Sequence, residues 1–146
     1  MRSILFAAPL LGFLLAGCER GQDGAVDLAA IPGTYRLGGS AEADAGCVLD
    51  AEPVQNGRLH FVVDCNRGAP SYNMGHAEAV IPLAGTEAVY RLDEYGGCEI
   101  RLRFSRDEVH VREEIPSGGD CGFGYGVSTD GTYRRLDHHP EFLPYP

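Results

Sequence analysis

Apolar side chains recur at every second position through several stretches of this 146-residue chain, a period that fits half-buried β-strands. Cys98, Ile100, Leu102 and Phe104 interleave with Glu99, Arg101 and Arg103. After a Ser105-Arg106-Asp107 turn, Val109, Val111 and Ile115 continue the apolar face, with His110, Arg112 and Glu114 pointing away. Leu59, Phe61, Val63 and Cys65 repeat the scheme, as do Ala77, Ala79, Ile81 and Leu83. Turn signals punctuate these runs at Gly38-Gly39, Asn56-Gly57, Gly85, Gly96-Gly97, Gly118-Gly119 and Asp130-Gly131. The expectation is an all-β fold, an antiparallel meander of about eight strands closed as a small barrel whose interior is filled by side chains. A transmembrane barrel fits badly, because the strands are short and their outward faces carry Arg and Glu.

One stretch alternates differently. In Cys121-Gly122-Phe123-Gly124-Tyr125-Gly126-Val127 one face is rich in rings and the other is only glycine. Read as a strand, it implies that something approaches the bare backbone closely. An aromatic such as Tyr133 lying over that face, or sharp barrel curvature, is the structural reading. A groove for a ligand or partner at Gly122, Gly124 and Gly126 is the functional one. The spacing is no dinucleotide fingerprint, since no helix pattern follows it.

The N-terminus reads as an address. Arg2 supplies positive charge, and Ile4 to Leu15 is apolar apart from Pro9 and Gly12, too short for a membrane-spanning helix. The stretch ends in Leu15-Ala16-Gly17-Cys18, which resembles a bacterial lipobox. That resemblance implies cleavage before Cys18, acylation of its thiol with diacylglycerol and palmitate, and stable membrane anchoring. The expected layout is a signal peptide at 1–17, a lipidated N-terminus and tether at 18–31, a barrel at 32–137 and a proline-rich tail at 138–146. Glu19 rather than Asp after the cysteine favours the outer membrane over inner-membrane retention, with the domain facing the periplasm.

An exported chain makes disulfides the expected state of Cys47, Cys65, Cys98 and Cys121. Metal ligation is disfavoured by the absence of Cys-x-x-Cys spacing. If Gln55-Asn56-Gly57 is a hairpin loop, Val54 pairs with Arg58, and counting outward sets Cys47 opposite Cys65. A loose internal duplication extends the argument. Tyr35-Arg36-Leu37, Cys47, Leu59-His60-Phe61 and Cys65 correspond to Tyr90-Arg91-Leu92, Cys98, Val109-His110-Val111 and Cys121. If the halves share a plan, the second bridge is Cys98–Cys121, the other reading being a chance alignment of short strand patterns.

Leu28-Ala29-Ala30, then Gly33-Thr34-Tyr35-Arg36-Leu37, then Cys47 with Cys65 resemble the opening of the Inh-type metalloprotease-inhibitor barrels, and of calycin-like barrels more generally. Tyr35 stands where that family carries tryptophan, and the second cysteine pair and the glycine stretch depart from its pattern. The resemblance implies a small barrel that inhibits a protease by inserting the segment before the barrel into the cleft. Here that segment, Glu19 to Ile31, is also the expected lipid tether. Cys121 to Arg135 is similar to the tail of uncharacterised exported bacterial proteins.

Charge and chemistry narrow the function. The net charge is −9, or 11 − 21 = −10 once Arg2 is removed, which argues against a nucleic-acid partner. All twelve basic residues are Arg, so Schiff-base and P-loop lysine chemistry are excluded. No nucleophile or general acid–base motif stands out; no catalytic residue, metal or cofactor is expected. His60 and His110 read as surface residues, and Asp137-His138-His139-Pro140-Glu141 as a weak metal catcher at best. The expectation is a monomeric, non-enzymatic lipoprotein that binds and inhibits a cationic hydrolase, lysozyme or protease, or a delivered toxin. The alternative is a structural or assembly lipoprotein of the envelope. Arg134, Arg135 and the Ser117-Gly118-Gly119-Asp120 loop are further candidate contacts, chosen for expected exposure.

Overall fold

The computed structural model describes residues 27–38 and 45–142. The expected signal segment, Cys18, the tether as far as residue 26 and residues 143–146 of the tail lie outside the described residues. Eight strands follow one another: β1 (Gly33–Leu37), β2 (Gly46–Val54), β3 (Arg58–Asn66), β4 (Met74–Ala84), β5 (Glu87–Leu92), β6 (Cys98–Phe104), β7 (Glu108–Glu114) and β8 (Gly131–Asp137). Each pairs antiparallel with the next and β8 returns to β1, closing the barrel. A single turn of tight helix, Leu28–Ala30, precedes β1 and is capped by the Asp27 side chain.

The alternation does what period two requires. Leu49 of β2, Leu59, Phe61 and Val63 of β3, Ile100, Leu102 and Phe104 of β6 and Val109 of β7 are fully buried inside the barrel. In the β2–β3 hairpin, Asn56 and Gly57 both adopt φ of 63°, a left-handed turn that suits Gly and, next best, Asn. Val54 therefore pairs with Arg58, and Cys47 lies opposite and bonded to Cys65. The second bridge joins Cys98 to Cys121. Each closes a loop that a chain-entropy model values at about 3 kcal/mol. The halves correspond in register: Tyr35 opposes Leu49 and Leu37 opposes Cys47, while Tyr90 opposes Ile100 and Leu92 opposes Cys98.

Three expectations are corrected in the barrel. Ile115 is 48% exposed, because β7 ends at Glu114 and the chain leaves the barrel wall at Pro116. The stretch Cys121–Val127 is not a strand. Gly122 and Gly126 have φ of 75° and 74°, which no extended ladder accommodates, and the segment folds as a loop. Its place follows from a defect in the sheet. β4 and β5 pair only at their hairpin, through Leu83 with Ala88 and Ala84 with Glu87, and diverge beyond it. The loop crosses that opening: the Gly124 amide donates to the Met74 carbonyl (2.9 Å), and Phe123 and Val127 pack against Gly75.

Tyr133 lies inside the barrel rather than over the glycines. It belongs to a repeat that the duplication above misses. Gly33-Thr34-Tyr35-Arg36 opens β1 and Gly131-Thr132-Tyr133-Arg134 opens β8. Both tyrosines are fully buried, and each hydroxyl donates to the carbonyl four residues earlier, Tyr35 to Ile31 (2.6 Å) and Tyr133 to Thr129 (2.8 Å). A buried hydroxyl so paired locks the chain's approach to its strand. Burial pushes the Tyr35 phenol up from 10 to about 12 and moves Tyr133 in the same direction, with the Glu113 and Asp130 carboxylates adding to the latter. Both raised values mean that the folded state keeps protons the unfolded state loses. Stability is therefore full below pH 10 and falls as pH climbs from 10 towards 12. The phenolate absorbance that disappears in Tyr35→Phe and Tyr133→Phe should belong to the alkaline end of the titration and coincide with unfolding; an early signal from either ring would contradict its burial.

Candidate functional site

The meander gives the barrel two unlike ends. At one end lie the tight turns after β2, β4 and β6, together with the chain's approach to β1 and its departure from β8. At the other end lie the β3–β4, β5–β6 and β7–β8 connections and both disulfides. That loop end carries Tyr72, Tyr95 and Tyr125, exposed by 55%, 65% and 86%, with Met74 and Ile115 also open to solvent. Tyr72 and Tyr95 hold left-handed backbone, φ of 49° and 53°, which is uncommon for a bulky residue and worth a functional explanation. The exposed carboxylates Asp93, Glu94 and Asp120 lie in the same loops.

These loops are tied together. Arg67 Nη1 and Asn73 Nδ2 both donate to the Tyr125 carbonyl (3.1 and 2.7 Å), and the Arg67 guanidinium lies 5.6 Å from the centre of the Tyr125 ring. The Tyr95 ring rests against Gly122. Ser128 and Thr129 are fixed by Glu113, whose Oε2 accepts from Ser128 Oγ (3.2 Å), Thr129 N (2.8 Å) and Thr129 Oγ1 (2.9 Å). Glu113 shares the inward face of β7 with Val109 and Val111. The sequence reading missed its role, although the same period-two count would have flagged a carboxylate on the core face.

The candidate residues fare differently. Gly122, Gly124 and Gly126 are approached closely, as glycine in such a run suggests, but by the chain itself. The neighbours are the Tyr95 ring, the Asn73 and Met74 segment, and the Arg67 guanidinium respectively. The bare side of each glycine is thus covered by the chain itself, and the tyrosine-bearing surface around them stays open. A small recess of about 120 Å³ lies there, lined in part by the candidate residues Gly124 and Gly126 with Glu113, Asp120, Phe123 and Tyr125. Ser117, Gly118 and Asp120 are exposed, and Gly119 packs on the backbone of Gly96 and Gly97.

Arg134 and Arg135 are neighbours with opposite fates. Arg134 stands in solvent, with Glu108 3.7 Å away. Arg135 shares the inward side of β8 with Tyr133 and closes the turn end. Its guanidinium lies 4.9 Å from the centre of the Tyr35 ring and donates to the carbonyls of Pro32 (2.7 Å), Arg106 (2.7 Å) and Ala30. It is a clamp on the segment entering β1, not an exposed contact.

The described part of the tail also folds back on the wall. Thr34 Oγ1 donates to Asp50, the Glu141 amide donates to the same carboxylate (3.1 Å), and the Phe142 ring stacks on His60 at 4.3 Å. His139 pairs with Asp137, its backbone amide holding that carboxyl below the ordinary value. His60 meets Glu78 (2.9 Å) and the exposed His110 meets Thr132 (2.8 Å). Among the described residues no three His, Cys, Asp or Glu side chains converge as a metal site.

Removing the clamp should therefore be costly. Arg135→Ala strands three carbonyls and should lower unfolding free energy by about 3 kcal/mol, whereas Arg134→Ala should change it by less than about 0.5 kcal/mol. Urea unfolding of the two variants side by side checks this. Compared with family models, with curated proteins and with solved structures, the chain matches none.

Proposed function

We propose that the chain is a lipid-anchored envelope protein that binds, through the loop end of its barrel, a cationic hydrolase (a lysozyme or protease) or a delivered toxin, and inhibits it. The observation that carries this reading is the set of three exposed tyrosines on a disulfide-stapled backbone flanked by carboxylates. Tyrosine offers a large contact area at little entropic loss, and rigid loops lose little more on binding. A net charge of −9 draws a basic partner from a distance, and Asp93, Glu94 and Asp120 sit where it would dock.

The arrangement also separates anchor from site. The chain enters β1 at the turn end, so a tether on its N-terminal side attaches at the end opposite the loops and leaves them free. The alternative of inhibition by the segment before the barrel is less well supported, because Arg135 holds Ala30 and Pro32 against the barrel. That clamp favours the loops as the inhibitory surface.

Affinity capture with residues 19–146, disulfides intact, against envelope extract and a set of secreted hydrolases tests the reading. A basic hydrolase retained at low salt, released at high salt and inactive while bound supports it. Retention of an envelope component without inhibition, or of nothing, overturns it and leaves an assembly lipoprotein. Tyr125→Ala should weaken the complex roughly tenfold or more while leaving the unfolding midpoint in place. Added salt should slow association far more than it speeds dissociation.

A further inference from the structure

The acidic chain carries one basic wall. On the outer faces of β6, β7, β8 and β1, register sets Arg101 directly opposite Arg112, Arg103 opposite His110, and Arg134 opposite Arg36. Like charges facing one another across a ladder destabilise it, and two such arginine pairs and an arginine–histidine pair occur on four adjacent strands. Two shallow recesses open on this wall. One, of about 440 Å³, is lined by Arg101, Arg103, His110 and Arg112; the other, of about 390 Å³, by Arg36, Gly38, Thr132, Arg134 and Leu136. Among the described residues, no carboxylate lines either one.

Carboxylates lie among these arginines, Glu108 directly opposite Arg134 in register, and most hold them loosely. Glu114 is 3.6 Å from Arg101, Asp130 3.9 Å from Arg112 and Glu108 3.7 Å from Arg134, while Glu87 (2.8 Å from Arg103) and Glu99 make closer contacts. Arg36 Nε is buried and meets no acceptor among the described residues. The exposed guanidinium groups of Arg101, Arg103, Arg112 and Arg134 retain donors for an incoming anion, and phosphate suits their planar fork. Leu136, 58% exposed, adds an apolar contact beside Arg36 and Arg134.

We propose that this wall docks on the phosphate groups of anionic lipid headgroups in the membrane that holds the anchor. Charge complementarity selects the occupant. A chain of net charge −9 is repelled by an anionic surface as a whole, and this wall gathers five arginines (Arg36, Arg101, Arg103, Arg112 and Arg134) on adjacent strands that include β1, the strand nearest the tether. A nine-residue tether, 19–27, reaches at most about 30 Å, which keeps the wall within range of the surface. The barrel then lies with its arginines on the lipid and its tyrosine loops free. The proposal rests on the anchor and is independent of inhibition.

The acylated, processed protein is reconstituted on vesicles of phosphatidylcholine alone or enriched in phosphatidylglycerol, and its arginines are modified with phenylglyoxal and read by mass spectrometry. The expected result is flotation with both vesicle types. Modification of Arg101, Arg112 and Arg134 should slow by about fivefold on the anionic vesicles only, with Arg58 and Arg67 unchanged. High salt should abolish the difference. The Arg101→Gln/Arg112→Gln variant should lose the protection at Arg134 while unfolding no more easily than the parent, since a repulsive pair has been removed. Equal rates on the two vesicle types overturn the proposal. So does protection by inorganic phosphate on neutral vesicles to which anionic lipid adds nothing. Failure to float on neutral vesicles removes the anchor and the proposal with it, whereas hydrolase inhibition is read separately and stands or falls by itself.

Discussion

Closure of the sheet between β1 and β8 is the constraint from which the rest follows. In an up-and-down meander of eight strands, the start of β1 and the end of β8 lie at one end of the barrel with the three tight turns, and pairing the first strand with the last seals the wall. The opposite end receives the other four connections. Length, disulfides and exposed rings concentrate there because the closed wall leaves nowhere else for long segments to go. The seam itself is secured at the turn end, where Arg135 of β8 grips the carbonyls leading into β1.

The interior is held by complementary means at its two ends. Two copies of Gly-Thr-Tyr-Arg begin the strands that meet at the seam, and each tyrosine ties down the residue four positions earlier. Those residues, Ile31 and Thr129, are themselves fully buried, so each link draws an incoming segment onto the core. At the loop end the β4–β5 divergence would leave the core open. The Cys121–Val127 loop fills it, held by the Cys98 bridge on one side and by Met74 on the other. Disulfides are useful at this end because long loops offer few ladder hydrogen bonds.

Charge is sorted over the same frame. The loop end carries carboxylates with exposed tyrosines, and the wall from β6 round to β1 carries arginines. The proposed tether at the turn end, lipid surface along one wall and basic protein at the far end would not compete for any surface.

Period two in the sequence determined the strands and their faces, since a slip of one residue would have turned Ile100, Leu102 and Phe104 outward. Turn chemistry at Gln55-Asn56-Gly57 determined one register and with it the Cys47–Cys65 bridge. The same count carried further would have placed Arg135 and Glu113 inward, but polar character led to Arg135 being read as a surface residue and Glu113 being passed over. What only the tertiary structure decided depends on contacts distant in sequence. Alternation in Cys121–Val127 is indistinguishable from that of a strand until the β4–β5 opening shows why left-handed glycines are needed there. Arg36 and Arg134 lie ninety-eight positions apart and oppose each other only because the barrel closes. Local sequence sets which face a side chain takes; closure alone sets which distant side chain it faces.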